Sequence, residues 1–535
     1  MTSTKYDESL AIGDPNPLNK AGEQALTTEL RHRARGPSKV VIALSVYAAL
    51  RILFFSAAFP LSNNIDERFH LMTIQMYAHG HLPGEELPRM DSAAARIFSL
   101  YWSPEYWHSQ DDLDRNGASR PLYGLPPQAQ DSALSREFYV GQIQRWSHRP
   151  NYEAQSPPLY YAAAAGWYKL GAALGMREWR LEYWVRLLNA IAYTLLVWLS
   201  YRFVRQAYPE RTFLCIAVPA LIAVFPLDVF FGMNRDVFSA PLAAAVLLLM
   251  MRAVDAKPDG HKSLLLGSFL VGLAFLSSVS NFVLFGALAA SLWLWVDRSA
   301  APPYRKILVV SASALAAGVL PSLWMLRNYL VMADFTGGKA KTQELTWTVK
   351  PLADMFHHPL FSGGGLSYFM VHLTQSFWRG EYLWHGAPMR SSAADWFYVS
   401  SSALMIVTFV GDFALRRKMF SYLQRWVAWQ SLFIVATSLL FLAAISLLFD
   451  FHECGYPSRL YPYFVSGRII SGALLPFVLI YAGGLELITN LFRKWVPPVA
   501  VLACLMLFIT ISEIRVRSVV FHSPYNLFAL SGWRR

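Results

Sequence analysis

Long apolar runs, separated by short basic turns and two long aromatic loops, set the pattern of this chain. A helix needs about twenty mostly apolar residues to cross the hydrocarbon core of a bilayer. Such stretches fall near 40–60, 185–204, 212–231, 238–254, 263–278, 281–296, 307–325, 397–415, 426–449, 469–489 and 496–513. Backbone polar groups in lipid must be satisfied within the segment, so each stretch predicts an α-helix. The pattern predicts an all-α integral membrane protein, a bundle of about 11 transmembrane helices with interfacial helices in two long loops.

The stretch 158–175 is shorter and contains Gly166, Lys169 and Gly171. Loops rich in Lys and Arg stay on the cytoplasmic side, and this decides its role. If the stretch lies on the surface or re-enters, five basic loops share that side. They hold Arg202/Arg205/Arg211, Arg252/Lys257/Lys262, Arg298/Arg305/Lys306, Arg416/Arg417/Lys418 and Arg493/Lys494. If it crosses, all five move outside. The expectation is a surface or re-entrant helix, with the N-terminus inside and the C-terminus outside the cytoplasmic (inner) membrane. Residues 1–38 read as a disordered cytoplasmic tail, 39–515 as the polytopic membrane domain and 516–535 as an external tail. Within the domain, 61–184 and 327–396 are the two long external loops.

Composition agrees. Of 535 residues, 55% are hydrophobic and 15% charged, against about a quarter charged in soluble domains. The net charge of +12 is spread between apolar segments, where it orients helices, and does not point to nucleic acid. Cys215 and Cys504 fall in predicted spans and Cys454 stands alone in a loop, so no disulfide framework or zinc knuckle is implied. No cleavable signal peptide is expected, because the first apolar run begins near residue 39 and is too long.

Candidate chemistry gathers in the two long loops. Asn63-Asn64-Ile65-Asp66-Glu67-Arg68-Phe69-His70 delivers neighbouring carboxylates to the membrane surface, where charge is costly unless used or paired. If Asp66 opens a helix, Asp66 and His70 lie on one face and can share a proton or a metal ion. The plainer alternative is a capped surface helix with Arg68 balancing charge. Further on, Glu153-Ala154-Gln155-Ser156-Pro157-Pro158-Leu159-Tyr160-Tyr161 can start a helix at its proline pair, leaving Glu153 near a cavity. Phe225 to Asp236 forms a short outside turn with two acids, Asp228 and Asp236. Asp236 is the stronger candidate, and its plainer reading is a helix cap.

Arg459 and Arg468 precede the 469–489 span, at the depth of a lipid phosphate. Arg offers paired hydrogen bonds to phosphate oxygens, and Arg468 is the favoured ligand. Phe377-Trp378-Arg379-Gly380-Glu381-Tyr382-Leu383-Trp384-His385 adds Arg379 and His385 as further phosphate or metal contacts. Arg186 and Asn189 either line the cavity or, the favoured reading, anchor a helix end, and Tyr101 to His108 reads as an interfacial aromatic cluster. His357-His358 and Gly363-Gly364-Gly365 lack any phosphate-loop context.

The ordered set resembles the GT-C class of membrane glycosyltransferases, including protein O-mannosyltransferases and lipid A aminoarabinose transferases. Its members are Asp66-Glu67, Pro157-Pro158-Leu159-Tyr160-Tyr161, Asp236 and Gly467-Arg468-Ile469. Ser156 stands where such proteins often carry His or Lys. The resemblance implies inverting transfer of a monosaccharide from a polyprenyl-phosphate donor to a glycan, lipid or protein hydroxyl outside the membrane. It makes Asp66 the base, with Glu67 completing the catalytic acid pair. Glu153, Asp236, Arg379, Arg459, Arg468 and His385 would contact substrate. A divalent metal ion on Asp66, Asp236 and His70 is open but not required. The rival reading is a transporter or flippase for lipid-linked sugar; transporters show repeats and charges at the bilayer midplane, and neither is evident here. The transferase reading requires Asp66 to lie within about 10 Å, one Debye length, of Asp236 or Arg468.

Overall fold

The computed structural model describes residues 39–62, 66–106, 133–255, 260–454 and 456–532. The expected 1–38 tail and the Trp107-His108 end of the aromatic cluster lie outside the described residues. All eleven apolar stretches are helical. Among the described residues, nine helices are long and apolar enough to cross a membrane. Thr212–Val224 and His261–Ser277 are shorter apolar helices. The 212–231 stretch breaks at Pro226, which forces Phe225 into extended backbone; a 3-10 turn over Asp228–Phe231 follows.

Gly467–Leu491 is enclosed on nearly every side, packed by Thr212–Val224, Ser392–Arg416 and Tyr422–Leu448. Lys39–Ala58 lies along Glu178–Ala207, and Ser239–Asp255 along His261–Ser277. Pro303–Met332 keeps most of its apolar side chains on the outside of the bundle. In a bilayer that is no penalty, because lipid tails are as apolar as leucine.

Leu159–Ala173 is the predicted non-crossing helix. At 15 residues it spans about 22 Å, less than the hydrocarbon core of about 30 Å. It packs against the first turns of Glu178–Ala207. Trp167 and Trp184 stack at 4.6 Å, and each indole N–H donates to the other's backbone carbonyl. Gly171 sits against Leu181 and Trp184 with no room for a Cβ. Leu181 precedes Arg186, which meets the end of the first span at Ser56, Phe59 and Pro60. The far end of Leu159–Ala173 therefore packs on the start of Glu178–Ala207.

The expected 516–535 tail is not a free extension where it is described. Pro498–Arg517 runs into a 3-10 turn at Ser518–His522 and a short helix at Leu527–Leu530. Phe521 and Phe528 pack on Phe54 of the first span, and Ser523 Oγ donates to Glu105 Oε2 at 2.9 Å. Apolar side chains here find a partner surface that composition along the chain does not reveal.

The described parts of the long loops fold into short helices packed at the ends of the spans. Glu67–Ala78, Ser92–Tyr101 and Ala133–Ser147 belong to the first, and Gly363–Arg379 to the second. Two short antiparallel pairs close the second loop: Thr348–Val349 on Phe449–Asp450, and Leu383–Trp384 on Ala387–Pro388.

Candidate functional site

Asp66 opens Glu67–Ala78 in left-handed backbone, φ 65°, and its side chain makes no cap hydrogen bond. An ordinary N-cap takes extended backbone and spends its oxygen on the helix. Here the carboxylate is released to other partners. Tyr152 OH donates to Oδ1 at 2.5 Å, and Arg468 Nη2 stands 3.4 Å from Oδ2.

Asp236 is freed in a different way. Asn234 accepts the Asp236 backbone N–H, so the capping that sequence alone allowed for Asp236 falls to Asn234. The Asp236 carboxylate then faces Arg468 Nη1 at 3.9 Å. Glu381 supplies a third carboxylate, 3.1 Å from Arg468 Nε. The Arg468 guanidinium thus joins three carboxylates from distant segments. The Arg468 and Asp66 side chains are each 13% exposed and Glu381 10%, against 2% for Asp236, so Asp236 is the innermost member of the cluster.

A second charged group adjoins the first. Glu153 is buried; it pairs with Lys341, lies 3.3 Å from Arg235, and accepts from Ser156 Oγ at 2.8 Å. Lys341 Nζ lies 5.2 Å from the centre of the Tyr152 ring. Tyr152 and Glu153 therefore link the two groups.

Electrostatics fix the charge states. Burial alone would raise the Asp66 carboxyl, but Lys341, Arg468 and the Tyr152 hydrogen bond hold it below its usual value. Burial also opposes the Glu153 charge, and Lys341 with Arg235 carries it well below the usual range. Glu381 goes the other way: burial outweighs Arg468 and raises it. His70 is pushed down to about 4, chiefly by burial, and is neutral at physiological pH; its Nδ1 lies 2.8 Å from Tyr161 OH.

Other sequence candidates lie elsewhere. Glu67 is a correction: it does not complete the acid pair at the site. It is fully buried, taking Arg186 Nε at 2.8 Å and Nη2 at 2.7 Å, and accepting the Met233 N–H at 3.0 Å. Arg186 is corrected with it, from helix-end anchor to buried clasp. Arg379 pairs with Asp395 at 3.1 Å and donates to the Gly380 carbonyl, away from Arg468. Arg459 is exposed and pairs with Asp450 at 3.0 Å. His385 sits at the turn of the 383–388 pair, its N–H on the Glu105 carbonyl. Asp228 accepts the Tyr382 N–H at 2.8 Å, outside the Arg468 cluster.

The residues named for a metal each have a protein partner, while His70 Nε2 and Asp236 Oδ1 remain without one. Asp66 and Asp236 both turn to a guanidinium, and His70 Nδ1 is engaged by Tyr161. Among the described residues, no three His, Cys, Asp or Glu side chains cluster as metal ligands.

Tyr152, Lys341, Arg235 and Glu381 complete the site without having been singled out from sequence. Arg235 and Glu381 lie inside motifs that drew attention for their neighbours, and Tyr152 precedes Glu153. Lys341 carries no local signal.

No curated protein and no solved structure matches this chain. One family model, described as "Predicted membrane protein (DUF2142)", matches residues 50–454, a span that holds Asp66, Glu153, Asp236, Lys341 and Glu381 but stops short of Arg468. That match covers well over half of the 535 residues, and the chain belongs to the DUF2142 family of predicted membrane proteins.

Proposed function

We propose that this protein is a membrane glycosyltransferase that moves a monosaccharide from a polyprenyl-phosphate donor to an acceptor hydroxyl, with inversion, at the external face of the cytoplasmic membrane. The observation that carries this reading is the convergence of Asp66, Asp236 and Glu381 on Arg468. Among the described residues, Arg202, Arg252, Arg298, Arg416 and Arg493 fall at helix ends that connectivity puts opposite the cluster, which supports an external site.

In the proposed reaction Asp66 is ionised and takes the acceptor hydroxyl proton. The acceptor oxygen bonds to the anomeric carbon while the bond to the phosphate oxygen breaks. The electron pair leaves with the phosphate, where Arg468 offsets the growing negative charge. Glu381 and Asp236 fix the guanidinium plane. Glu153 holds Lys341 and Arg235 as a second basic edge. A carboxylate acting as general base contributes about 10²–10⁴-fold.

The test is transfer by the purified protein in detergent, using polyprenyl-phosphate-linked hexoses and pentoses with envelope glycans and lipids as acceptors. Asp66→Asn is expected to lose about 10²–10⁴-fold in turnover with unchanged thermal unfolding. Near-normal turnover in that variant removes Asp66 from the mechanism. Absence of transfer from every carrier, with movement of lipid-linked sugar in vesicles, overturns the reading in favour of a transporter.

A further inference from the structure

Beside the charged cluster, on the far side of the 150–155 turn, lies a cleft of about 380 Å³. Met72 and Gln75 form its buried floor, and the Gln75 side-chain oxygen has no protein partner. His79, His81, Arg89 and Asp91 stand exposed around the opening. Its size falls within the range of small-ligand pockets, about 300–1,000 Å³.

The wall of this cleft is held in place. Gln155 Nε2 donates to the Gly84 and Glu85 carbonyls at 3.1 and 3.3 Å. The Asn151 N–H donates to the Pro88 carbonyl at 2.8 Å, and Arg327 holds the Pro83 carbonyl. Asn151 itself lines the cleft, and its side chain donates to the Phe69 carbonyl and Thr73 Oγ1. The next residue, Tyr152, donates to Asp66. Cleft and carboxylate thus share one rigid turn and the helix Glu67–Ala78.

The lining also selects a chemistry. It mixes donors and acceptors with apolar surface from Met72, Met76, Leu82 and Ala94, and Asp91 beside Arg89 disfavours a simple anion. A neutral ring bearing several hydroxyls, with one apolar C–H face, matches that mixture. We propose that this cleft is a carbohydrate subsite that holds a sugar unit of the acceptor; the acceptor role rests on the transferase reading above.

The test measures binding with no donor present. Glucose, galactose, mannose and N-acetylglucosamine are titrated into the purified full-length protein by calorimetry, with inorganic phosphate as a separate arm. At least one sugar is expected to bind saturably. Gln75→Leu and the double variant His79→Ala/His81→Ala are each expected to weaken it by about tenfold. Arg416→Ala, on an exposed basic loop, is expected to bind as wild type. The histidines are exposed, so the double variant still decides the matter if Gln75→Leu fails to fold. Binding of no sugar, equal binding by wild type and the double variant, or phosphate binding in place of sugar overturns the subsite. Sugar binding in a protein that transfers nothing sinks the transferase reading alone, whereas transfer without sugar binding sinks the subsite alone.

Discussion

Asp66 and Glu67 are neighbours, yet the fold sends their carboxylates to opposite fates. The left-handed backbone at Asp66 turns its side chain toward Tyr152 and Arg468, while Glu67 points into the bundle against Arg186. Removing one partner of a buried ion pair leaves an uncompensated charge, at a cost of about 3–5 kcal/mol. Glu67→Gln is therefore expected to lower stability by about that amount, measured by thermal unfolding in detergent. Wild-type stability in this variant would deny the clasp. His70 gives a pH signature. Its folded pKa, about 4, lies below the unfolded value of 6.5, so the unfolded chain binds the proton first. Its contribution to stability is complete above about pH 6.5 and is lost as pH falls toward about 4, a difference on the order of 3 kcal/mol. His70→Gln is expected to flatten that limb, and an unchanged slope would contradict the burial argument. The sequence made the acid pair legible, because two charges at the end of an apolar run are costly. It did not separate their roles, which depend on a single positive φ and on a buried arginine far along the chain.

At the scale of elements, the segment joining Gly363–Arg379 to the 383–388 pair carries Glu381 to Arg468. Gly380 adopts φ 87°, and a Cβ there would fall on the Asp228 carboxylate. Asp228 in turn takes the Tyr382 N–H. Gly380→Ala is expected to cost at least about 1–3 kcal/mol in backbone strain. It should also shift Glu381, so transfer should fall more than stability does. Unfolding at the wild-type temperature with full transfer would show that this turn has slack. The proline-led start of Leu159–Ala173 was legible, since Pro157 and Pro158 suit a first turn but not an interior. The cap by Asn234 was not, because Asn and Asp are both good caps and only the backbone path chooses between them.

For the whole molecule, the proposed topology counts nine long helices and the two shorter ones, Thr212–Val224 and His261–Ser277, as eleven crossings, and it predicts that the basic loops and the charged cluster lie on opposite sides. A cysteine at position 417, in a background without Cys215, Cys454 and Cys504, is expected to react only with reagents reaching the cytoplasmic side. A cysteine at 343 is expected to react from outside. Labelling of 417 from outside would invert the topology and remove the external site. The bundle also settles distance. Asp66, Asp236, Glu381 and Arg468 are spread over most of the chain and meet within hydrogen-bond or ion-pair range.

The sequence by itself determined that the chain is helical and membrane-spanning, roughly where each span lies, and which loops carry acids. These are local properties, since a helix satisfies its own backbone and hydropathy needs only adjacent residues. Only the tertiary structure decided which acids share the guanidinium of Arg468, that Glu67 clasps Arg186 instead, and that Tyr152 and Lys341 belong to the site. Those choices depend on which helix ends become neighbours. Helix packing sets that neighbourhood, and side chains hundreds of residues apart leave no periodic trace of it along the chain.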